Sequence, residues 1–221
     1  MRGNGNSRVP GTDGEASIAA AHDYFTRLQR VLGFLHHARI DQITATLLDA
    51  YEQQRTVFLF GNGGSASLAS HLACDLAKGT VIAGRPHKRF RAIALTDSIP
   101  LMTAWANDSS YENIFAEQLR NFVSAGDVAF AISGSGNSAN VLRALQVAGE
   151  SGAFRIGLTG FQGGRMKDMC DLCLIVPSDN MQMIEDVHLS VAHAIFTCAR
   201  QAIENRTAMK HSVRTASALP L

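Results

Sequence analysis

The chain has little excess charge of either sign, few cysteines, a single tryptophan and no long apolar run. Its 20 Lys+Arg balance 19 Asp+Glu to a formal net charge of +1 over 221 residues, so no long-range field draws it to DNA, RNA or an anionic membrane. Four cysteines, Cys74, Cys170, Cys173 and Cys198, are too few and too unevenly placed for the disulfide framework of a small secreted scaffold. No apolar stretch approaches the ~20 residues of a membrane span, and Met1 to Gly11 lacks the apolar segment of a secretory signal. These absences place the expected protein in the cytoplasm, facing small molecules or protein partners, with no membrane and no nucleic acid among them.

What is present is a 46% hydrophobic chain with enough residues to bury one sizeable core. The Gly, Ser and Asn of residues 1–16 and the aperiodic residues 207–221 are expected to be flexible tails around a single domain at 17–206. Phe25, Leu28, Val31, Leu32 and Leu35 recur at helical spacing, and Ile40, Ile43, Leu47, Leu48 and Tyr51 repeat the pattern after a short break. Two amphipathic helices are therefore expected first.

Five short apolar runs follow: Val57 to Phe60, Ala92 to Leu95, Val128 to Ile132, Ile156 to Thr159 and Leu172 to Val176. They are apolar on successive residues and separated by helical segments, the pattern of parallel strands covered on both faces. A last helix from about Met181 to Ile203 carries Ile184, Val187, His188, Val191, Ala194 and Ile195 in one stripe. The fold class is α/β.

In such a sheet the ligand crevice lies beyond the carboxyl ends of the strands. After the first run comes Gly61-Asn62-Gly63-Gly64-Ser65-Ala66, and after the third comes Ser133-Gly134-Ser135-Gly136-Asn137-Ser138. Each leads into a helix, whose N-terminal N–H groups and partial positive charge suit an anion, while glycine permits close approach and serine adds donors. The first loop also matches the dinucleotide fingerprint G-x-G-x-x-A, but no acidic residue follows at the required distance, since Asp97 lies further on. The nucleotide-triphosphate loop is absent from both places, so no nucleotide cofactor is expected.

His71 and Asp75 stand at i and i+4 on the helix after the first loop; Glu185 and His193, eight apart, share a face of the last. Residue types alone leave a divalent metal site, an acid–base pair or a surface interaction open. Other signals read as structural. Cys170-Asp171-Leu172-Cys173 lacks a second pair and suits two half-buried thiols, Cys74 suits core packing, and so do Met102 and Trp105. His36 and His37 are expected to close the first helix, and the basic stretch Arg85 to Arg89 to be a solvated loop in which Lys88 is a candidate phosphate contact across a subunit boundary.

Taken together, Phe60-Gly61-Asn62-Gly63-Gly64-Ser65, Ala106-Asn107-Asp108, Ser133 through Ser138, and Glu185-Asp186-Val187-His188 through His193 resemble the sugar isomerase (SIS) domain family, and within it the phosphoheptose isomerases. The resemblance covers about residues 20–203. It implies a flavodoxin-like five-stranded parallel sheet, a homotetramer with active sites between subunits, and isomerisation of sedoheptulose 7-phosphate to an aldose phosphate through a cis-enediol. It assigns Asn62, Gly63, Gly64 and Ser65 to substrate contact, Asn107 and Asp108 to the sugar, and Ser133, Gly134, Ser135 and Ser138 to the phosphate. His71, Asp75, Glu185 and His193 fall where the family places its zinc ligands and acid–base residues, with Asp75, Glu185 and His193 as the catalytic set. The family has Glu where this chain has Asp75 and Gln where it has Glu185. Those exchanges leave open which carboxylate is the base and whether the ketose phosphate has seven or eight carbons. A non-catalytic sugar-phosphate-binding or replication-initiation assembly protein is the alternative, disfavoured by retention of the His and carboxylate set.

Overall fold

The computed structural model describes residues 18–83 and 88–216, with side chains to residue 208. The expected N-terminal tail at 1–16 lies outside the described residues. In chain order the elements are α1 (Ala21–Gly33), α2 (His37–Gln53), β1 (Thr56–Gly61), α3 (Gly64–Cys74), β2 (Arg91–Ala94), α4 (Ile99–Asp108), α5 (Ala116–Phe122), β3 (Val128–Ile132), α6 (Ala139–Glu150), β4 (Phe154–Thr159), α7 (Met166–Met169), β5 (Leu172–Ile175) and α8 (Met181–Ala216). All four strand pairings are parallel, in the order β2-β1-β3-β4-β5. That is the expected flavodoxin-like sheet, whose order reverses at β1 and so opens a crevice between β1 and β3.

Burial follows strand position. Every residue of β1 and β3 is buried, whereas the edge strands β2 and β5 are partly open. Alternate residues of the central strands serve opposite faces. Val57 and Leu59 join the core under α2, α3 and α8, while Phe58 and Phe60 join the core under α5 and α6. Phe58 and Phe60 are almost fully enclosed, each worth about 1.5–3 kcal/mol of apolar burial. This two-sided burial explains why the strand sequences read as unbroken apolar runs.

Several local expectations change. His36 and His37 open α2 instead of closing the first helix, because the chain breaks at Phe34 and restarts. In α8 the expected stripe is buried except for Ala194, and Ala192 takes its place facing the core. α8 continues from the expected end at Ile203 to Ala216, so the aperiodic segment expected from Thr207 begins inside a helix. Cys74, assigned to the core by sequence, is exposed; Cys170 and Cys173 are half-buried as expected, and all four thiols are free. Met102 and Trp105 pack partly buried on the α5–α6 side. Arg85, Pro86 and His87 lie outside the described residues, and Lys88 is turned onto its own chain in an ion pair with Glu52 at 3.0 Å.

Candidate functional site

The crevice at the β1–β3 switch point is walled by the two Ser/Gly loops. In the first, Gly63 precedes α3 with φ 54° and ψ −123°, a conformation reserved for glycine. The next residue, Gly64, opens α3 directly under α8. A Cβ on Gly64 would lie 2.9 Å from a carboxylate oxygen of Glu185. That carboxylate therefore rests on the positive end of α3, where the helix dipole favours a negative charge. Ser65 is buried behind it.

The second loop is held from three directions. Ser133 and Ser138 hydroxyls are 3.2 Å apart. The Gly160 N–H donates to the Gly134 carbonyl at 2.9 Å, and the Met166 N–H to the Gly136 carbonyl at 3.0 Å. The Asn137 side-chain oxygen accepts from the Arg165 N–H at 3.0 Å. Gly136 has φ +64°, and a Cβ there would meet the Gly163 carbonyl oxygen at 2.2 Å. The Gly134 and Gly136 carbonyls are thus engaged from neighbouring backbone, and the Ser135 hydroxyl accepts from the Asn137 N–H at 3.2 Å within the loop. Ser133 is buried, and Ser135 and Ser138 are half-buried.

Between α3 and α8 a cleft of about 260 Å³ runs from Gly64 and Glu185 to His71. At its far end α3 widens into one π-helical turn, Asp75–Gly79, a distortion frequent at functional sites. Gly79 in this turn lies so close to the Phe196 ring of α8 that a Cβ would meet it at 2.6 Å. The close approach brings three side chains together. His71 Nε2 and His193 Nε2 are 3.2 Å apart, and His71 Nε2 lies 3.5 Å from Asp75 Oδ2. The three offer ligand atoms all within 4.8 Å of one another. Two imidazole nitrogens and a carboxylate oxygen converging on one point are a fitting donor set for a divalent metal such as zinc.

Glu185 is not in this group. Eight residues of α8 separate it from His193, about 12 Å along the axis. Within one chain the structure therefore joins three of the four expected ligands and sets the fourth at the α3 N-terminus. Asn107 and Asp108 end α4 and are exposed; Asn107 Nδ2 donates to Asp108 Oδ1 at 2.7 Å. Just beyond them the Tyr111 hydroxyl donates to Asn62 Oδ1 at 3.1 Å.

Sequence reasoning missed three residues. Asn140, on the first turn of α6, exchanges two amide hydrogen bonds with Asn62. No motif marks it, since its partner lies 78 positions away. Asp186, beside the cleft, accepts from the Tyr24 hydroxyl of α1 at 2.6 Å. Burial, then this bond, pushes the phenol up to about 12. His188, read as part of the packing stripe, is 1% exposed. Neither ring nitrogen makes a hydrogen bond of acceptable geometry. Burial pushes its pKa down to about 4, offset in part by the nearby Thr159 backbone.

Residues 23–160 match the family described as the SIS domain. The chain is 36% identical over 164 residues to a phosphoheptose isomerase of Aneurinibacillus thermoaerophilus, covering 74% of this chain and 81% of that protein. It is 38% identical over 178 residues to a phosphoheptose isomerase of Bradyrhizobium sp. strain BTAi1, covering 80% and 87% respectively. Among solved structures, the phosphoheptose isomerase of Neisseria gonorrhoeae superposes with a TM-score of 0.74 at 30% identity, over 81% of this chain and 96% of that one.

Proposed function

Because this chain belongs to the SIS domain family, we propose that it is an aldose–ketose isomerase acting on sedoheptulose 7-phosphate or a closely related seven- or eight-carbon ketose phosphate. The observation that carries this reading is the placement of two Ser/Gly loops on either side of the β1–β3 crevice with His71, Asp75 and His193 converging at the end of the adjoining cleft. Relatives named phosphoheptose isomerase support it.

In this reading Ser133, Ser135 and Ser138 donate hydroxyl hydrogen bonds to the phosphate, and Gly134 lets it approach the backbone. The Glu185 carboxylate on the α3 N-terminus favours the same orientation, because it repels a second anion there and leaves that end for the uncharged sugar. Asn62, Gly63, Gly64 and Ser65 contact the sugar, with Asn107 and Asp108 further along the chain.

The chemistry is a proton shift. A carboxylate takes a proton from C1 of the ketose, next to the C2 carbonyl, and the electron pair moves to give a cis-enediol. The proton is returned at C2, and a second group carries the hydroxyl proton from O1 to O2, leaving the aldehyde at C1. We assign the carbon proton to Asp75 and the oxygen proton to His193, with Glu185 as a second carboxylate on the wall of the cleft. Zinc held by His71, Asp75 and His193 would supply Lewis-acid polarisation of the substrate carbonyl.

The chain acts as a homo-oligomer, a tetramer in the family pattern, in the cytoplasm. Exposed Phe25 and Phe34, at 65% and 59%, support a contact between copies, since α1 buries none of its residues within the chain. Four free thiols and a phosphorylated substrate support the compartment.

The test is incubation with sedoheptulose 7-phosphate in D2O, followed by NMR. Aldose phosphate formation with solvent deuterium in the pool is the expected result. Phosphate-ester binding without any carbon–hydrogen exchange, across seven- and eight-carbon ketose phosphates, would favour a non-catalytic binding protein instead.

A further inference from the structure

Asn140 stands two residues past Ser138, at the start of α6, and is 2% exposed. Its Oδ1 accepts from its neighbour's backbone, the Val141 N–H, at 2.9 Å. That bond fixes which end of the Asn140 amide is oxygen, since only an acceptor can face an N–H. The rest follows from this one constraint. Asn140 Oδ1 also accepts from Asn62 Nδ2 at 2.9 Å, and Asn140 Nδ2 donates to Asn62 Oδ1 at 2.8 Å. Asn62 Oδ1 further accepts from the Tyr111 hydroxyl at 3.1 Å.

An amide oxygen has two lone pairs and an amide nitrogen two hydrogens. Both lone pairs of Asn62 Oδ1 are engaged, and one of its two N–H groups is given to Asn140. What remains is a single N–H, on the loop that walls one side of the crevice. Asn62 is half-buried whereas Asn140 is buried, so Asn62 is the member of the pair that faces a ligand.

We propose that Asn140 is a positioning residue for the isomerisation: by fixing which way the Asn62 amide faces, it leaves Asn62, whose second lone pair is taken by the Tyr111 hydroxyl, as a hydrogen-bond donor only, aimed at an oxygen of the sugar near the reacting carbons, and it ties the sugar loop to the phosphate loop. The inference rests on the function proposed above. It gives the site a preference for an acceptor oxygen, carbonyl or hydroxyl, at the position Asn62 faces. It also sets the two loops in register, because the bridge joins the residue after β1 to the helix that follows the serine loop.

The test combines kinetics with a measurement independent of turnover. Asn140→Asp keeps the acceptor for Val141 and removes the donor to Asn62; Asn140→Ala removes both. Each is expected to lower kcat at least tenfold while inorganic phosphate, which would bind the serine loop, keeps its affinity within about twofold. In an Asn62→Ala background, Asn140→Ala is expected to cost less than twofold further, since it acts through Asn62. In the wild-type protein the buried Asn140 side-chain amide should give NMR signals protected from solvent exchange. Wild-type kcat in the Asn140 variants, additive losses in the double variant, or a freely exchanging Asn140 amide would overturn the positioning role. A wild-type protein that fails to turn over any ketose phosphate overturns the functional reading first, and is distinguished by its loss in every variant alike.

Discussion

Gly64 and Glu185 are in mutual contact so close that a side chain on Gly64 would displace the carboxylate: a Cβ on Gly64 would lie 2.9 Å from one carboxylate oxygen and 3.1 Å from the other. One comes from the first turn of α3 and the other from the first turn and a half of α8. The contact places a carboxylate on a helix N-terminus and separates Glu185 from the His71, Asp75 and His193 group. The two carboxylates of the site therefore have different surroundings.

Gly64→Ala tests that contact. The atoms in the way are the end of a flexible, exposed side chain, so the fold should tolerate the change with a loss of under about 1 kcal/mol, within the range of surface substitutions with a local adjustment. Glu185 must swing away, and kcat/KM is expected to fall about tenfold, one step of ~1.4 kcal/mol. Melting temperature and steady-state kinetics on the same preparation separate the two effects.

Asp75→Asn and Glu185→Gln should differ. Removing the group that takes the carbon proton costs on the order of 10²–10⁴ in rate, and we expect that loss in kcat for Asp75→Asn. Glu185→Gln keeps the shape and a polar contact at the α3 N-terminus, with an expected loss below about tenfold. The reverse order would reassign the base to Glu185.

The His71, Asp75 and His193 group should bind one divalent ion per chain. Elemental analysis of protein equilibrated with zinc is expected to give near-stoichiometric metal, reduced in His71→Ala and in His193→Ala. A chelator should lower the melting temperature of the zinc-loaded protein, since an ion bound only to the folded state stabilises it by mass action.

His188 makes stability depend on pH in one direction. Its pKa falls from 6.5 to about 4 on folding, so between these values the unfolded chain holds a proton that the folded chain does not. Stability is full above 6.5 and declines as the pH falls towards 4, by up to roughly 3 kcal/mol from this residue. His188→Leu removes the titration and should flatten that part of the curve in urea-unfolding measurements from pH 7 to pH 4.5. An unchanged slope would mean that His188 is not buried neutral in the native protein.

Gly136→Ala should damage the serine loop directly. The residue needs a positive φ, and its Cβ would meet the Gly163 carbonyl oxygen at 2.2 Å, a backbone atom that cannot step aside cheaply. The expected cost is about 1–3 kcal/mol of stability, with inorganic phosphate affinity reduced more than in the Asn140 variants.

By itself the sequence determined the class of fold, the five strands and the two loops, because each of those is local. Parallel strands buried on both faces must be apolar on successive residues, and β1 and β3 are. A ligand loop at a strand end must be small and polar, and residues 61–66 and 133–138 are. The i, i+4 spacing of His71 and Asp75 was also legible, since helical periodicity alone puts them on one face.

What only the tertiary structure decided were the relations across elements. Periodicity could not show that α3 widens at Asp75, nor that Gly79 lets Phe196 close in and carry His193 to within 3.2 Å of His71. It gave Glu185 the same face as His193 but not that His193 joins His71 and Asp75 while Glu185 rests against Gly64. It read His188 as packing without its unpaired nitrogens, and it passed over Asn140, an ordinary residue in the helix after the serines. Side-chain pairing at a separation of 78 residues depends on how the sheet lays β1 beside β3, and that register is set by the packing of the whole core.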